Sequence, residues 1–234
     1  MDKLDRDRGG WTLRFETSSD LQAAVSEVAA RGGGRLTAWY SGPTPATDEL
    51  AASVGFSPGR DLLQLRRPLP VESAGPRLET RPFAPGRDEQ RWLEVNNRAF
   101  ASHPEQGGWT LADIAARERE PWFDPAGFLL HEVGGKLAAF CWTKVHGDHD
   151  PPLGEIYVVA VDPSFAGTGL GRTITVAGLV HLASRGITVA MLYVDATNVA
   201  ARALYDHLGF TIHHTDRSYV AQAPPDTPTS APIP

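Results

Sequence analysis

The sequence predicts a mixed α/β fold in which a twisted mixed sheet is flanked by helices. Three observations carry this prediction. Strand and helix patterns alternate between residues 77 and 220, Gly134-Gly135 predicts a hairpin turn in that segment, and a strand–helix–strand order follows the hairpin. A hairpin joins antiparallel strands and a helical crossover joins parallel ones, so we expect the sheet to contain both.

The apolar spacing predicts each element of this segment in order. Val, Ile and Tyr crowd residues 155–161, which indicates a central strand, and Arg185-Gly186 and Gly209 are typical helix stops. The predicted strands are 77–81, 127–132, 136–145, 155–161, 189–194 and 210–220, and the predicted helices are 89–100, 111–119, 170–184 and 199–208.

Proline-rich stretches divide the chain. Residues 68–76 contain three prolines and a glycine and are expected to form an exposed linker, and residues 221–234 contain five prolines and no aromatic residue, which predicts a disordered tail. The segment 77–220 has the size of a complete domain. Residues 1–67 precede the linker, with helices predicted at 21–30 and 48–53 and strands at 35–40 and 61–66.

Composition excludes several classes of protein. The chain has 234 residues, 41% hydrophobic and 21% charged, which is ordinary for a folded globular protein. A net charge of −6 argues against a nucleic-acid partner, and the polar start and the lack of a long apolar run argue against a signal peptide or a membrane partner. We therefore expect a cytoplasmic protein, with its single cysteine, Cys141, as a small core side chain.

A glycine-rich loop is the densest chemical signal. Gly167, Gly169 and Gly171 lie between a predicted strand and a predicted helix, where backbone N–H groups can turn toward an anion. Arg172 adds a positive charge. The loop has no lysine at the position that a P-loop requires, and it comes too late in its domain for a dinucleotide fingerprint. The loop therefore predicts a pyrophosphate-binding site.

Two motifs together carry a family resemblance. The run from Val161 to Arg172, followed by Asn198-Val-Ala-Ala-Arg-Ala-Leu-Tyr-Asp-His-Leu-Gly-Phe210, resembles the GNAT superfamily of N-acetyltransferases. The resemblance implies a GNAT fold, acetyl-CoA as cosubstrate and no metal. Ala166 stands where the family usually has Gln or Arg, so one side-chain contact is missing.

Further motifs narrow the resemblance to one branch of that superfamily. The segments 95–110, 121–125, 142–146 and 154–159 are similar to the mycothiol synthases, which acetylate the cysteinyl amine of cysteinyl-glucosaminyl-inositol, a small-molecule thiol precursor. We expect a monomer, an expectation on which the resemblance does not bear. Two alternatives stay open: another small-amine or peptide N-acetyltransferase, and a non-catalytic acyl-CoA-binding sensor. Retention of both Glu155 and Tyr205 argues against the sensor.

The resemblance also implies roles for individual residues. Glu155 is expected to be the general base, acting through a water, and Tyr205 the proton donor to the departing CoA sulfur. The substrate is expected to contact Glu105, Lys144, Glu155 and Tyr193. The expected acetyl-CoA contacts are Val159, Ala160, Val161, Ala166, Gly167, Thr168, Gly169, Leu170, Gly171, Arg172, Asn198, Val199, Ala200, Ala201, Arg202 and Ala203.

One cluster of possible metal ligands is set aside. His146-Gly-Asp-His-Asp150 has metal-binding residue types, but the polarity of a loop accounts for it and acetyl transfer needs no metal.

The first segment contains a weak internal repeat. Leu50-Ala-Ala-Ser-Val-Gly-Phe56 echoes the segment 204–210, and the related enzymes carry tandem domains. Ala51 stands where the later copy has Tyr205, and Gly32-Gly33-Gly34 follows the first helix instead of preceding it. Residues 1–67 are thus expected to be a partial, catalytically inert GNAT-like domain, which leaves two alternatives: the chain is truncated, or its start was assigned too late.

Overall fold

A computed structural model describes residues 4–7, 10–71, 77–101 and 106–225. Its strands are β1 (Asp5–Asp7), β2 (Gly10–Arg14), β3 (Gly34–Ser41), β4 (Ser57–Pro68), β5 (Arg81–Pro82), β6 (Phe128–Val133), β7 (Lys136–His146), β8 (Leu153–Val161), β9 (Val189–Asp195) and β10 (Thr211–Ala223). Its helices are α1 (Ser18–Ala30), α2 (Pro45–Ser53), α3 (Glu89–Ala99), α4 (Leu111–Glu118), α5 (Leu170–Ser184) and α6 (Val199–His207), with short 3-10 turns at Pro125–Gly127 and Pro163–Phe165.

The chain divides into two compact units. Within the described residues, the first unit contains 4–7, 10–64, 194–199 and 212–225, and the second contains 65–71, 77–101, 106–193 and 200–211. Each unit therefore includes chain from both sides of the expected linker at 68–76. Residues 72–76 of that linker lie outside the described residues.

The first unit is a small sheet covered by two capped helices. Its strands run in the order β1-β2-β3-β10-β4, and β4 belongs to this unit as far as Gln64. β2 and β3 are parallel, whereas β1 with β2 and β3 with β10 are antiparallel. Thr17 and Thr44 begin α1 and α2 with capping boxes, which satisfy backbone N–H groups that have no partner within the helix. Phe15, Leu21 and Tyr219 pack in its core. Strands β1 and β2 were not predicted.

The last strand differs from the prediction in length and in partner. β10 ends at Ala223, three residues into the segment 221–234 that was expected to be a disordered tail, because it pairs with β3 from Asp216 opposite Ser41 to Ala223 opposite Gly34. Ala223 is fully buried. Residues 226–234 of that segment lie outside the described residues. Most of the strand expected to close the segment 77–220 thus belongs to the first unit.

The second unit is a mixed sheet with helices on both faces. Its strands run in the order β9-β8-β7-β6-β5, and β8 and β9 are parallel while the other pairs are antiparallel. Trp92 of α3 and Ile114 of α4 pack with Phe140 and Trp142 on one face. Side chains alternate along a strand, so Cys141 lies on the opposite face, under α5. The predicted mixed fold is confirmed.

Element boundaries in this unit follow the predictions closely, with one exception. Helix α5 has the predicted bounds, and Gly134 and Gly135 adopt positive φ of 57° and 75° at the predicted hairpin turn. The predicted strand at 77–81 is wrong in extent. β5 consists of Arg81 and Pro82, because only these two residues pair with β6.

A bulge interrupts the central strand. Trp142 of β7 pairs with Val158, but the next residue, Thr143, pairs with Ile156, so Tyr157 has no partner across the ladder. Tyr157 lies two residues from Glu155 and therefore on the same face of β8, and the extra residue keeps Val158, the partner of Trp142, on that face as well. The Tyr157 ring packs against Trp122 and Trp142. This face of β8 therefore carries the Glu155 carboxyl next to aromatic side chains.

Candidate active site

The glycine loop joins β8 to α5 and begins at an anchored aspartate. Asp162 is buried, accepts a hydrogen bond from the Ser164 N–H at 2.9 Å and is paired with Arg98. Burial raises the pKa of Asp162, but the hydrogen bonds from Arg98 and Ser164 outweigh burial and hold this pKa below its ordinary value. The ionised carboxylate thus fixes the start of the loop.

Beyond that anchor the loop forms an open cradle. Gly167 and Gly169 adopt φ of 77° and 81°, which L side chains rarely adopt, and Gly169 is the N-cap of α5. Apart from the adjoining residues of the chain, no described residue comes within 4 Å of a Cβ built on either glycine. The N–H groups of the first turn of α5 have no acceptor within the helix, and Arg172 is exposed beside them. The cradle fits a diphosphate by backbone contacts and helix dipole.

Two residues of this loop that are expected to contact acetyl-CoA, Ala166 and Thr168, can offer mainly backbone groups. Ala166 is exposed and has no polar side-chain atom, and Thr168 uses its hydroxyl to donate a 2.6 Å hydrogen bond to the Phe165 carbonyl. Leu170 and Gly171 begin α5. The loop therefore presents mainly N–H groups and the Arg172 charge.

The parallel strands β8 and β9 separate next to this loop. Their ladder, in strands that the structure describes throughout, pairs Leu153 with Val189, Gly154 with Ala190 and Glu155 with Met191, and then ends. β8 continues to Val161, and its last residues pair with β7 on the other side only. The edge of β8 that faces β9 consequently keeps free backbone groups, to which an extended chain such as pantetheine can bond.

The predicted residues Val159, Ala160 and Val161 lie along that free edge. They pair with Cys141, Phe140 and Ala139 of β7 respectively and are half-buried. Along β8 these three residues lie between Glu155 and the cradle.

The predicted base Glu155 lies at the last β8–β9 pair. It is 8% exposed, and its Oε2 lies 2.7 Å from Nε2 of His146. Such burial is costly for a carboxylate without a partner, and the imidazole satisfies one oxygen. His146 comes from the polar segment set aside as a metal cluster, and the structure brings it to Glu155.

Lys144 lies directly opposite Glu155 in the β7–β8 ladder. Its Nζ lies 4.7 Å from the centre of the Trp122 ring and 5.7 Å from that of Tyr157, so the ammonium stacks over two aromatic faces. Tyr193 is half-buried on β9, two residues beyond Met191. Glu105, the other predicted substrate contact, lies outside the described residues.

Tyr205 is buried on α6, with its ring 5.8 Å from that of Phe210. Burial raises the pKa of its phenol above the ordinary value, and the nearby Cys141 thiol adds to this effect. The phenol therefore keeps its proton at neutral pH, as a proton donor must.

The remaining predicted cofactor contacts surround the start of α6. Ala200, Arg202 and Ala203 are exposed and Ala201 is half-buried, all in the second unit. Asn198 and Val199 are exposed and belong to the first unit.

Sequence reasoning missed three residues of this site: His146, Trp122 and Tyr157. The His-rich segment 146–150 was a signal for the first, but its partner could be identified only from the strand register. Trp122 and Tyr157 lie in the segments 121–125 and 154–159 that carry the resemblance, but neither was given a role, and nothing in their local pattern marks them as the support of Lys144.

The described part of the chain shows neither a cluster of metal ligands nor a membrane-spanning helix. It contains no group of three or more His, Cys, Asp or Glu side chains placed to hold a metal ion. None of its helices is long and apolar enough to cross a membrane.

Sequence comparison relates the chain to known proteins. Residues 89–210 match the model of the acetyltransferase (GNAT) family. A mycothiol acetyltransferase of Thermobispora bispora is 51% identical over 206 residues, which cover 85% of this chain and 69% of the relative. A mycothiol acetyltransferase of Thermomonospora curvata is 50% identical over 209 residues, with coverages of 87% and 69%.

Structure comparison supports the fold. A GCN5-related N-acetyltransferase from Sphaerobacter thermophilus superposes with a TM-score of 0.65 at 21% identity, covering 88% of this chain and 65% of that one. A tandem GNAT protein from the clavulanic acid biosynthesis pathway gives 0.66 at 16% identity, with coverages of 89% and 70%. The chain spans about two thirds of the length of these relatives.

Proposed function

The chain belongs to the acetyltransferase (GNAT) family, whose members use acetyl-CoA, and from this premise we propose its reaction. It transfers the acetyl group of acetyl-CoA to the cysteinyl amine of cysteinyl-glucosaminyl-inositol, which completes mycothiol. The choice of acceptor is supported by the relatives named mycothiol acetyltransferase, about half of whose aligned residues are identical to this chain.

The observation that carries the acetyl-transfer proposal is the end of the β8–β9 ladder at Glu155 and Met191. A buried carboxylate lies at the point of separation, a free strand edge follows, and an anion cradle closes the path. This order matches an acyl-CoA, with its thioester near the carboxylate, its pantetheine along β8 and its diphosphate at the loop.

Acetyl-CoA supplies a thioester, and the residues of this chain hold it and move protons. The N–H groups of 167–172 and the Arg172 guanidinium bind the diphosphate. Backbone groups of Val159, Ala160 and Val161 bond the pantetheine, and residues 200–203 contact its lower part. These contacts orient the thioester toward the acceptor amine.

Two side chains, Glu155 and Tyr205, transfer the protons. Glu155 removes a proton from the acceptor ammonium, so that its nitrogen lone pair can attack the thioester carbonyl. Tyr205 protonates the departing CoA sulfur, and the second amine proton restores the phenol. One ammonium and one thioester thus become one amide, one thiol and one proton released to solvent.

The acceptor side is formed by the polar and aromatic face of β7 and β8. Lys144 on its aromatic support, together with Tyr193 and Glu105, offers donors and acceptors to the hydroxyl groups of a sugar-inositol. We further propose that the protein acts in the cytoplasm as a monomer, and that residues 1–67 are a partial GNAT-like domain without a site of its own.

The proposed reaction is tested by following CoA release from acetyl-CoA with two acceptors, cysteinyl-glucosaminyl-inositol and its des-cysteinyl precursor. We expect release with the first and an acetylated product by mass spectrometry, with only background release from the second. Equal release with both would indicate a broader small-amine acetyltransferase. Binding of acetyl-CoA without release with any amine would indicate a sensor.

A further inference from the structure

His146 is the last residue of β7 and pairs with Leu153, while Lys144 pairs with Glu155. Residues 146 and 155 are therefore diagonal neighbours in the ladder, within reach of a long side chain. The imidazole spans this diagonal, and its Nε2 lies 2.7 Å from Oε2 of Glu155. The contact joins a predicted catalytic side chain to one with no assigned role.

Because the Glu155 carboxylate is nearly buried, it has little access to water and needs the hydrogen bond with His146. The Glu155 side chain is 10% exposed and the His146 side chain 20% exposed. Within the described part of the chain, no hydrogen bond is made to the other oxygen, Oε1. The imidazole thus holds one oxygen of a nearly buried carboxylate and leaves the second available.

A carboxylate that acts as base has no proton of its own, so the shared hydrogen lies on Nε2 and is donated to Oε2. We propose that His146 is the positioning residue of Glu155, fixing its rotamer so that Oε1 faces the acceptor amine. The inference rests on the proposed function. In the assisted step an N–H bond of the ammonium breaks, an O–H bond forms on Oε1, and nitrogen keeps the electron pair.

Two nearby polar side chains, Lys144 and His149, do not make the hydrogen bond that His146 makes with Glu155. Lys144, the direct cross-strand partner of Glu155, stacks its ammonium over Trp122 and Tyr157. His149 lies on the loop that follows β7, with its ring centre 6.2 Å from that of His146. His149 is therefore a matched control: a histidine in the same segment without the hydrogen bond to Glu155.

Two conservative variants separate positioning from packing. The amide nitrogen of His146→Gln can occupy the place of Nε2 and donate to Oε2, whereas the shorter side chain of His146→Asn can occupy only the place of Nδ1. We expect His146→Asn to lower kcat about 10- to 100-fold with an unchanged KM for acetyl-CoA. His146→Gln and His149→Gln should keep most of the wild-type kcat. Equal values for His146→Asn and His146→Gln, high or low, would overturn the proposal.

A double-mutant cycle tests whether His146 acts through Glu155. In a Glu155→Gln background, His146→Asn should lower kcat little further, because the positioned base is already absent. A full additional loss would show that His146 acts independently and would overturn the inference. If Glu155→Gln itself keeps wild-type kcat, the proposed base is wrong and the positioning role is wrong with it. Loss in Glu155→Gln without loss in His146→Asn would overturn the positioning role alone.

The hydrogen bond between His146 and Glu155 can also be tested without any substrate. This test holds even if the acceptor amine is not the one proposed. In ¹⁵N-edited NMR spectra of the histidine side chains, we expect His146 as the Nε2–H tautomer with a slowly exchanging proton. Glu155→Ala should abolish that protection and leave the His149 signals unchanged. An Nδ1–H tautomer in the wild-type protein would contradict the proposed hydrogen bond, whichever acceptor the enzyme uses.

Discussion

Glu155 and Met191 form the last pair of the ladder between β8 and β9. One strand-pairing boundary therefore coincides with the buried carboxylate and with the start of a free strand edge. A parallel pair that stayed closed to Val161 would use the backbone groups of β8 in its own ladder. Separation at this point makes those groups available to a ligand without unfolding any part of the sheet.

Replacement of Glu155 by Gln should lower kcat by about a hundredfold or more, because an amide cannot take the amine proton. The side chain keeps its size and an oxygen for His146, so acetyl-CoA binding should be unchanged. Steady-state CoA release and calorimetric titration measure the two quantities, with Glu94→Gln on α3 as the control. Near wild-type turnover between about pH 6 and pH 9 would contradict the assignment.

Replacement of Tyr205 by Phe should lower kcat about a hundredfold through slower loss of the thiolate. The ring remains to pack against Phe210, so the melting temperature should change little. Single-turnover kinetics with acetyl-CoA separate chemistry from product release. An unfolded variant whose folded fraction retains full specific activity would show that the tyrosine is structural.

In Tyr205→Phe, the free energy of unfolding should decrease less steeply with rising alkaline pH than in the wild-type protein. Burial raises the pKa of Tyr205 in the folded state, whereas the unfolded phenol ionises near pH ~10. Its contribution to stability is thus complete below about pH 10 and is lost as the pH rises further, by up to ~1.4 kcal/mol per pH unit. Urea denaturation on both sides of this pH should show a steeper fall for the wild-type protein than for Tyr205→Phe.

Gly171 allows a test of the cradle that does not depend on backbone strain. A Cβ at this position meets Leu204 at 3.8 Å and Val161 at 3.9 Å, which are ordinary contacts. Gly171→Asp should stabilise the first turn of α5 but repel the diphosphate, whereas Gly171→Ala should retain acetyl-CoA binding. Calorimetric affinities of the two variants measure this difference. Equal affinities would show that the diphosphate binds elsewhere.

Gly178 tests the packing of α5 on the sheet. Alanine in a helix interior usually stabilises by about 1 kcal/mol relative to glycine, but a Cβ here would lie 2.4 Å from Sγ of Cys141 and 3.0 Å from Ile156. We expect Gly178→Ala to destabilise by about 1–3 kcal/mol in urea denaturation. Gly171→Ala on the same helix is the control. Cys141→Ala should recover part of the loss in the double variant, and a stabilised Gly178→Ala would contradict the described contact.

The proposal that residues 1–67 have no site of their own predicts one acetyl-CoA site per chain. In the proposed internal repeat, Ala51 stands where the later copy has Tyr205, and Gly32, Gly33 and Gly34 follow α1. We therefore expect the first segment to provide neither a proton donor nor a cradle. Titration with acetyl-CoA should give a stoichiometry of one, and Gly171→Asp should abolish binding. Two equivalent sites would show that the first segment also binds the cofactor.

Local signals predicted the parts of the site that depend on local geometry. Gly167 and Gly169 adopt left-handed φ, which is a property of the loop itself, and the bounds of α5 follow from the glycine before it and Arg185-Gly186 after it. The hairpin at Gly134-Gly135 is equally local. The family resemblance then added roles for Glu155 and Tyr205 that no spacing could supply.

Tertiary structure alone decided which side chains meet. The contact between His146 and Glu155 and the position of Lys144 over Trp122 depend on the β7–β8 register and on the bulge at Tyr157. The pairing of β10 with β3 joins residues more than half the chain apart. Apolar periodicity indicates which face of an element is buried, but it does not contain the identity of the neighbouring strand or the register of the pair. Those are selected by the packing of the whole chain, because many pairings bury a given face equally well and only a few bury all faces at once.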